Sequence, residues 1–207
     1  VLRLLLKSRS IRKHRILAAL SERRGKADIH PTAVVEFCVI GEGVTIGPHA
    51  VVRGSMLADG ATVEEHATVN FSSLGAGATV GRYGMLNLSV LYTGAMTSSG
   101  GGFQASLFGK EAFVAWGATI LDLSFGRPVK VTHHGERVAS GQHFLGAAVG
   151  HRAKIGNAVR LNYGVEVPND AFLVAPSDDL IRDTTAVEPG EPCRAEAGRA
   201  VPVRPRS

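Results

Sequence analysis

Cysteine and aromatic residues are scarce in this chain: two cysteines and a single tryptophan among 207 residues, and 6% aromatics in all. Cys38 and Cys193 lie far apart with no metal-ligand spacing around them, which argues against a disulfide framework or a zinc knuckle and fits a reducing, cytoplasmic setting. Long hydrophobic runs are missing too. Leu4-Leu5-Leu6 is too short for the core of a signal peptide, and no stretch approaches the roughly 20 apolar residues of a membrane span. A core made without aromatics has to come from Val, Ile, Leu and Ala, and 25 glycines provide many tight bends between them. With 44% hydrophobic residues, one globular unit of repetitive β architecture is expected.

Acidic residues are nearly absent at the start. Residues 1–26 carry nine basic residues against Glu22 alone, so the formal charge of +5 resides in this arm and the body is mildly acidic. A nucleic-acid or membrane contact would therefore involve the arm, and no nucleic-acid partner is expected for the body. Residues 2–24 lack Gly and Pro and set Leu2, Leu5, Leu6, Ile16, Leu17 and Leu20 at helical spacing, with Ser10 available as a cap between two short helices. This predicts a helical arm over 1–26, serving as a cap for the domain end, a basic amphipathic contact or an Arg-rich targeting segment. The chain opens on Val1 in place of methionine, as expected of a piece trimmed or cut from a longer polypeptide. From 176 to 207 Pro, Gly, Arg, Glu and Ala alternate without an apolar period, which predicts a disordered tail.

The middle has a strict period. Aliphatics fall at Ile29, Val35 and Ile40, at Ile46, Val52 and Leu57, at Val63, Val69 and Leu74, then at Val80 and Leu86, in steps of six, six and five that close every 17 residues. Neither a helix nor a simple alternating strand gives that spacing. A three-sided coil does, because each flat side is a short strand with one inward aliphatic. Small apolar residues four further on (Ala33, Val44, Ala50, Ala61, Ala67, Ala78) fit its corners, and Gly41, Gly47, Gly75 and Gly81 are read as the corner positions that need a permissive backbone. Beyond Leu86 the register dissolves, and the Ser and Gly cluster at 98–102 is read as a projecting loop. A second excursion is placed at about 124–144. Six-residue spacing resumes at Val149, Ile155, Leu161, Val167 and Leu173, for a rod of about seven coils over 27–175.

The segments IGEGVTIGPHAVV (40–52) and VGHRAKIG (149–156) resemble the hexapeptide-repeat superfamily. The resemblance implies an all-β, left-handed parallel β-helix that assembles as a homotrimer. More narrowly, SSLGAGATV (72–80), YTGA (92–95), SLFGKEAFVAWGATILD (106–122) and VKVTHHGERVASGQHFLGAAVGHRAKIG (129–156) are similar to the C-terminal domain of sugar-phosphate nucleotidyltransferases, including the bifunctional enzyme that forms UDP-N-acetylglucosamine. Two places differ from that pattern. Val90-Leu91-Tyr92-Thr93-Gly94 stands where that enzyme has an Asn-Tyr-Asp-Gly segment, and Trp116 stands among small residues beside its coenzyme.

What the resemblance implies about chemistry is acyl or acetyl transfer from acetyl-CoA or another acyl-CoA to a sugar or sugar nucleotide, in a cleft between subunits. Such transfer needs a base for the acceptor and N–H donors for the oxyanion, and His151 of VGHRAKIG is the candidate base. Tyr92, Asn162 and Tyr163 are the candidate acceptor contacts, Gly117 and Ala118 the candidate coenzyme contacts, and Gly100–Gly102 a loop closing over the cleft. The competing reading is a solvent-facing corner at His151 and a non-catalytic module for trimerisation, ligand sensing or scaffolding of a nucleotidyltransferase. His49 and His66 lie 17 apart, between Thr32 and Tyr83, so they stack on adjacent rungs. Zinc needs a third protein ligand, and the His-x4-His arrangement of γ-class carbonic anhydrases is replaced by Gly156 after His151 and Phe71 after His66, so no metal is expected. His133, His134 and His143 are read as a solvated loop.

Overall fold

The computed structural model describes residues 18–133, 136–176, 185, 193–197 and 199–203. Residues 18–173 form a parallel β-solenoid with three faces. The first face stacks eight two-residue strands from Glu22–Arg23 to Glu166–Val167, the second eight from Asp28–Ile29 to Phe172–Leu173. The third stacks five strands from Val34–Glu36 to Gly102–Gln104, and the pair Thr119–Ile120 with Arg160–Leu161 follows on it. Partners on the first six coils lie 17 residues apart, as in Ile29 with Ile46 and Val63 with Val80. The predicted aliphatic columns are the core: Ile40, Val52, Val63, Val69 and Leu86 are fully buried, as are the corner residues Val44, Ala50, Ala61, Ala67 and Ala78. Each enclosed Val, Leu or Ile side chain contributes about 1.5–3 kcal/mol.

Two sequence expectations are corrected. The rod does not break after Leu86: Val90–Leu91, Met96–Thr97, Gly102–Gln104, Leu107–Phe108 and Phe113–Val114 continue it in register. Thr97, Phe103 and Phe108 take the column positions that aliphatics hold elsewhere, all buried, and the glycines of 98–102 form a corner and enter a strand. Gly102 pairs with Met85 on the third face, so no loop at Gly100–Gly102 closes over a cleft. The stack is accordingly eight strands deep on two faces instead of the seven coils expected. The second excursion is real. Lys130–His133 pairs antiparallel with Glu136–Ala139, above a bridge from Leu123 to Phe144.

The corner glycines divide into two kinds, which corrects the role given to the first kind. Gly41, Gly47, Gly75 and Gly81 are not the left-handed positions. Those lie two residues beyond each, at Gly43, His49, Gly77 and Tyr83, with φ of 67°, 58°, 65° and 55°. Gly75 is needed for close stacking: a Cβ there would sit 2.5 Å from Thr93 N and 2.7 Å from Tyr92 C on the next coil, whereas one on Gly77 meets nothing within 4 Å. Gly75→Ala is therefore expected to cost at or above the roughly 1–3 kcal/mol of an overpacked site, and Gly77→Ala only about 1 kcal/mol of left-handed strain. Urea unfolding of the two variants checks the order, and a larger loss in Gly77→Ala would overturn it.

Residues 1–17, most of the predicted helical arm, lie outside the described residues. Ala18 and Ala19 are helical and Glu22–Arg23 is already a strand of the first face. No helix among the described residues is long and apolar enough to cross a membrane. Within the stretch predicted to be a disordered tail, Cys193–Glu196 pairs antiparallel with Arg199–Pro202 in a separate compact unit. Of the rest of that tail from 177 onward, Thr185, Ala197 and Val203 are described and the other residues lie outside the described ones.

Candidate functional site

At the corner between the first and second faces, each coil turns outward for two or three residues and exposes a backbone N–H. Side chains of the next coil accept these donors. Glu42 N–H donates to Asp59 Oδ1 at 2.9 Å, Lys110 N–H to His151 Nδ1 at 2.8 Å, and His151 N–H to Asn169 Oδ1 at 2.7 Å. His151 thus occupies the same ladder position as Asp59 and Asn169. Because Nδ1 accepts a backbone N–H, the neutral ring carries its proton on Nε2 and presents a donor outward.

Tyr92 lies at the same corner, and the two rings meet edge to face with centroids 6.2 Å apart. Gly109 makes this meeting possible, since a Cβ there would fall 2.7 Å from His151 Nδ1. The contact joins residues 59 positions apart in the sequence. At the adjoining position on this corner Arg152 binds Asp170 bidentately, at 2.6 and 2.8 Å. The hydrogen bond from that guanidinium holds the Asp170 carboxyl below its ordinary range. A group with a depressed pKa stabilises the fold above its unfolded value and loses that contribution as pH falls. For a solvent-exposed pair the effect is small.

The surface beside His151 is concave. A cavity of about 410 Å³ is lined by Leu107, Gly109, Ala148, Gly150, His151, Glu166 and Asn169, among others. A second, of about 330 Å³, lies under the excursion hairpin against Leu88, Ala105, Leu107, Val131, Leu145, Ala148 and Glu166. Both include Leu107, Ala148 and Glu166, so they form one trough across the outer side of the first face. Its hairpin end is apolar and its corner end polar.

The other candidate residues are not gathered there. Asn162 and Tyr163 follow the strand Arg160–Leu161 at the corner between the third and first faces, and Asn162 Oδ1 accepts the Tyr163 N–H at 3.0 Å. Gly117 is a left-handed corner residue (φ 75°) between the second and third faces, and Ala118 beside it is buried in the core, which leaves Gly117 as the exposed member of the pair. His49, His66 and Tyr83 do stack, with centroids 5.0 and 4.9 Å apart. His143 of the excursion approaches Ser124 O at 3.2 Å through Nδ1, and His134 lies outside the described residues. Among the described residues no group of three or more His, Cys, Asp or Glu is gathered as a metal site.

Sequence reasoning missed Leu107, Lys110, Ala148, Glu166 and Asn169. Their signal was the corner spacing itself: Lys110, His151 and Asn169 each stand three residues past an outward strand position, at Leu107, Ala148 and Glu166.

It also missed two polar ladders, one of serines at the corner between the third and first faces and one of amides along the third face. The Ser55, Ser72, Ser89 and Ser106 hydroxyls each accept the N–H of the residue that begins the next coil and donate to a carbonyl two residues back. Asn70, Asn87, Gln104 and Asp122 are joined side chain to side chain at 2.8–3.2 Å. Cys38 occupies the rung below Ser55, and burial pushes its thiol up. A buried, protonated thiol is unreactive.

No protein-family model matches the chain, and no curated protein matches it. Among solved structures, the polysialic acid O-acetyltransferase OatWY is similar over 75% of this chain and 76% of its own, at 17% identity and a TM-score of 0.26.

Proposed function

We propose that this protein is an acyltransferase-like β-helix that binds an acyl-CoA and transfers its acetyl or acyl group to a sugar or sugar nucleotide. The trough on the first face is the observation that supports this reading. Its apolar end, under the hairpin, has the character of a slot for an acyl or pantetheine chain, and its polar end is lined by His151 and Asn169, with the Tyr92 ring against His151, where the acceptor would meet the thioester. In this reading His151 is the base for the acceptor hydroxyl or amine, the rod is left-handed, and a homotrimer covers the exposed apolar ridge of Phe37, Met56, Phe71 and Leu88. A cytoplasmic location follows from the coenzyme.

Proton abstraction by His151 requires a free ring nitrogen. The Nδ1 lone pair is shared with the Lys110 amide, so the base role demands that this bond open in the complex. The same observation favours a second reading, a non-catalytic β-helix that serves a sugar-phosphate nucleotidyltransferase as a trimerisation or ligand-sensing module, with His151 as one rung of a corner ladder. Titration with acetyl-CoA followed by calorimetry, together with thioester cleavage assayed against amino and hydroxyl sugars, tests the first reading. Absence of binding at millimolar coenzyme would remove it, whereas binding without turnover would leave the second.

A further inference from the structure

The coils of a solenoid bury one another, and the first coil has a neighbour on one side only. Its inward residues register this. Ile46 and Val52 are buried, whereas Ile29 and Val35, their partners one coil below, are half-buried. A cavity of about 410 Å³ opens at this end of the rod, lined by Ala18, Arg23, Ala27, Ile29, Ala33 and Val35 among others. Arg23 is in register with the fully buried Ile40, so it holds a column position that is aliphatic one coil on. Among the described residues it makes no ion pair: Glu22 is engaged by Arg24 at 2.9 Å and Glu36 by Arg53 at 2.8 Å.

We infer that the occupant of this mouth is the chain's own segment 2–17, laid across it as an amphipathic helix and seated by Ile16 and Leu17. Ala18, the residue this segment runs into, is itself part of the cavity wall and is helical together with Ala19. As one continuous helix at 100° per residue, the segment sets Leu2, Leu5, Leu6, Ile16 and Leu17 in one stripe and Arg3, Lys7 and Arg15 on the opposite side. Arg9 and Lys13 lie between the two apolar ends of the stripe, on stems long enough to carry their charges to water. Residues 2–17 make a helix about 24 Å long, against at most roughly 20 Å for the six residues of one side of a coil, so the segment spans the mouth from its tether at Ala18. A helix that arrives at Ala18 and Ala19 ends beside Arg23. An unpaired guanidinium at a helix C-terminus can bind the last carbonyls and opposes the negative end of the dipole, which accounts for an arginine in an aliphatic column. The inference assigns the basic arm to the closure of the fold and does not depend on acyl transfer.

Ala33→Cys places a thiol reporter in the cavity wall, and Cys193→Ser in the same chain leaves the buried Cys38 as its only competitor. Labelling of this reporter by an aromatic disulfide in the whole chain is expected to be at least about 10-fold slower than in the same chain carrying Ile16→Gln and Leu17→Gln, because a covered end must open before the thiol is reached. Removal of residues 1–17 should accelerate labelling as much and lower the unfolding midpoint. Leu17→Ala, a milder change, should give an intermediate rate and decides the matter if the glutamines prevent folding, with unchanged circular dichroism as the criterion. Equal labelling rates with and without these substitutions would overturn the proposal. So would slow labelling that becomes fast on dilution, which would give the mouth to a second copy of the chain.

Discussion

Phe108→Ala is expected to lower unfolding free energy by about 3–5 kcal/mol, the range for deleting a buried aromatic side chain. Phe108 is fully buried and meets Phe103 edge to face, with centroids 5.3 Å apart at 68°. Both rings point inward from adjacent sides of the rod, where other coils carry aliphatics. Alanine at this point leaves a void that Leu91 and Val149, its neighbours in the column, cannot fill while their strands stay in register. In a stacked rod each coil gains stability from the coils on either side, so the loss is felt across the join between the regular coils and those beyond the excursion. Phe108→Leu keeps most of the volume and should cost under about 1.5 kcal/mol. Urea denaturation of the two variants separates them. A loss below about 1 kcal/mol in Phe108→Ala would mean that the ring is not enclosed and that the column is interrupted at this coil.

That interruption is what the sequence suggests at first sight, for a physical reason. The 17-residue column is legible as long as its members are aliphatic, and it held from Ile29 to Leu86. At Thr97 the inward group is a hydroxyl-bearing β-branched residue, at Phe103 and Phe108 it is a ring, and the intervening Ser-Ser-Gly-Gly-Gly reads locally as a loop. Backbone pairing overrides those local signals, since a strand of two residues needs only one side chain of the right volume on its inner side. The excursion at 124–144 was legible because its length breaks the period and its polar residues cannot be placed in the columns.

The trough was only half legible. His151 stood out by its motif, but its partners come from coils separated by the excursion. The spacing from Lys110 to His151 is 41 residues, not 17, and the distance along the chain from Tyr92 is larger still. The corner glycines show the same limit. Composition announces that corners are present, yet whether a glycine is there for a left-handed φ, as at Gly77, or for the approach of the next coil, as at Gly75, depends on stacking that no local window contains.

Substituting His151 in two ways separates its possible roles, because the corner ladder and base catalysis ask for different atoms. The ladder asks for an acceptor that reaches the Lys110 N–H, and Asp59 and Asn169 show that a carboxylate or an amide oxygen reaches the equivalent donor. His151→Asn should therefore match the native unfolding midpoint, while His151→Ala should lose about 0.5–1.5 kcal/mol with the hydrogen bond. Base catalysis asks for a ring nitrogen that can gain a proton, which asparagine lacks. If the chain transfers an acyl group through His151, both variants should lose about 10²–10⁴-fold in kcat, and KM for the coenzyme should change little, since the ring takes no part in holding the pantetheine end of the trough. Full turnover in His151→Asn would assign the residue to the ladder alone and move the base elsewhere on the trough, where Glu166 is the carboxylate lining both of its halves.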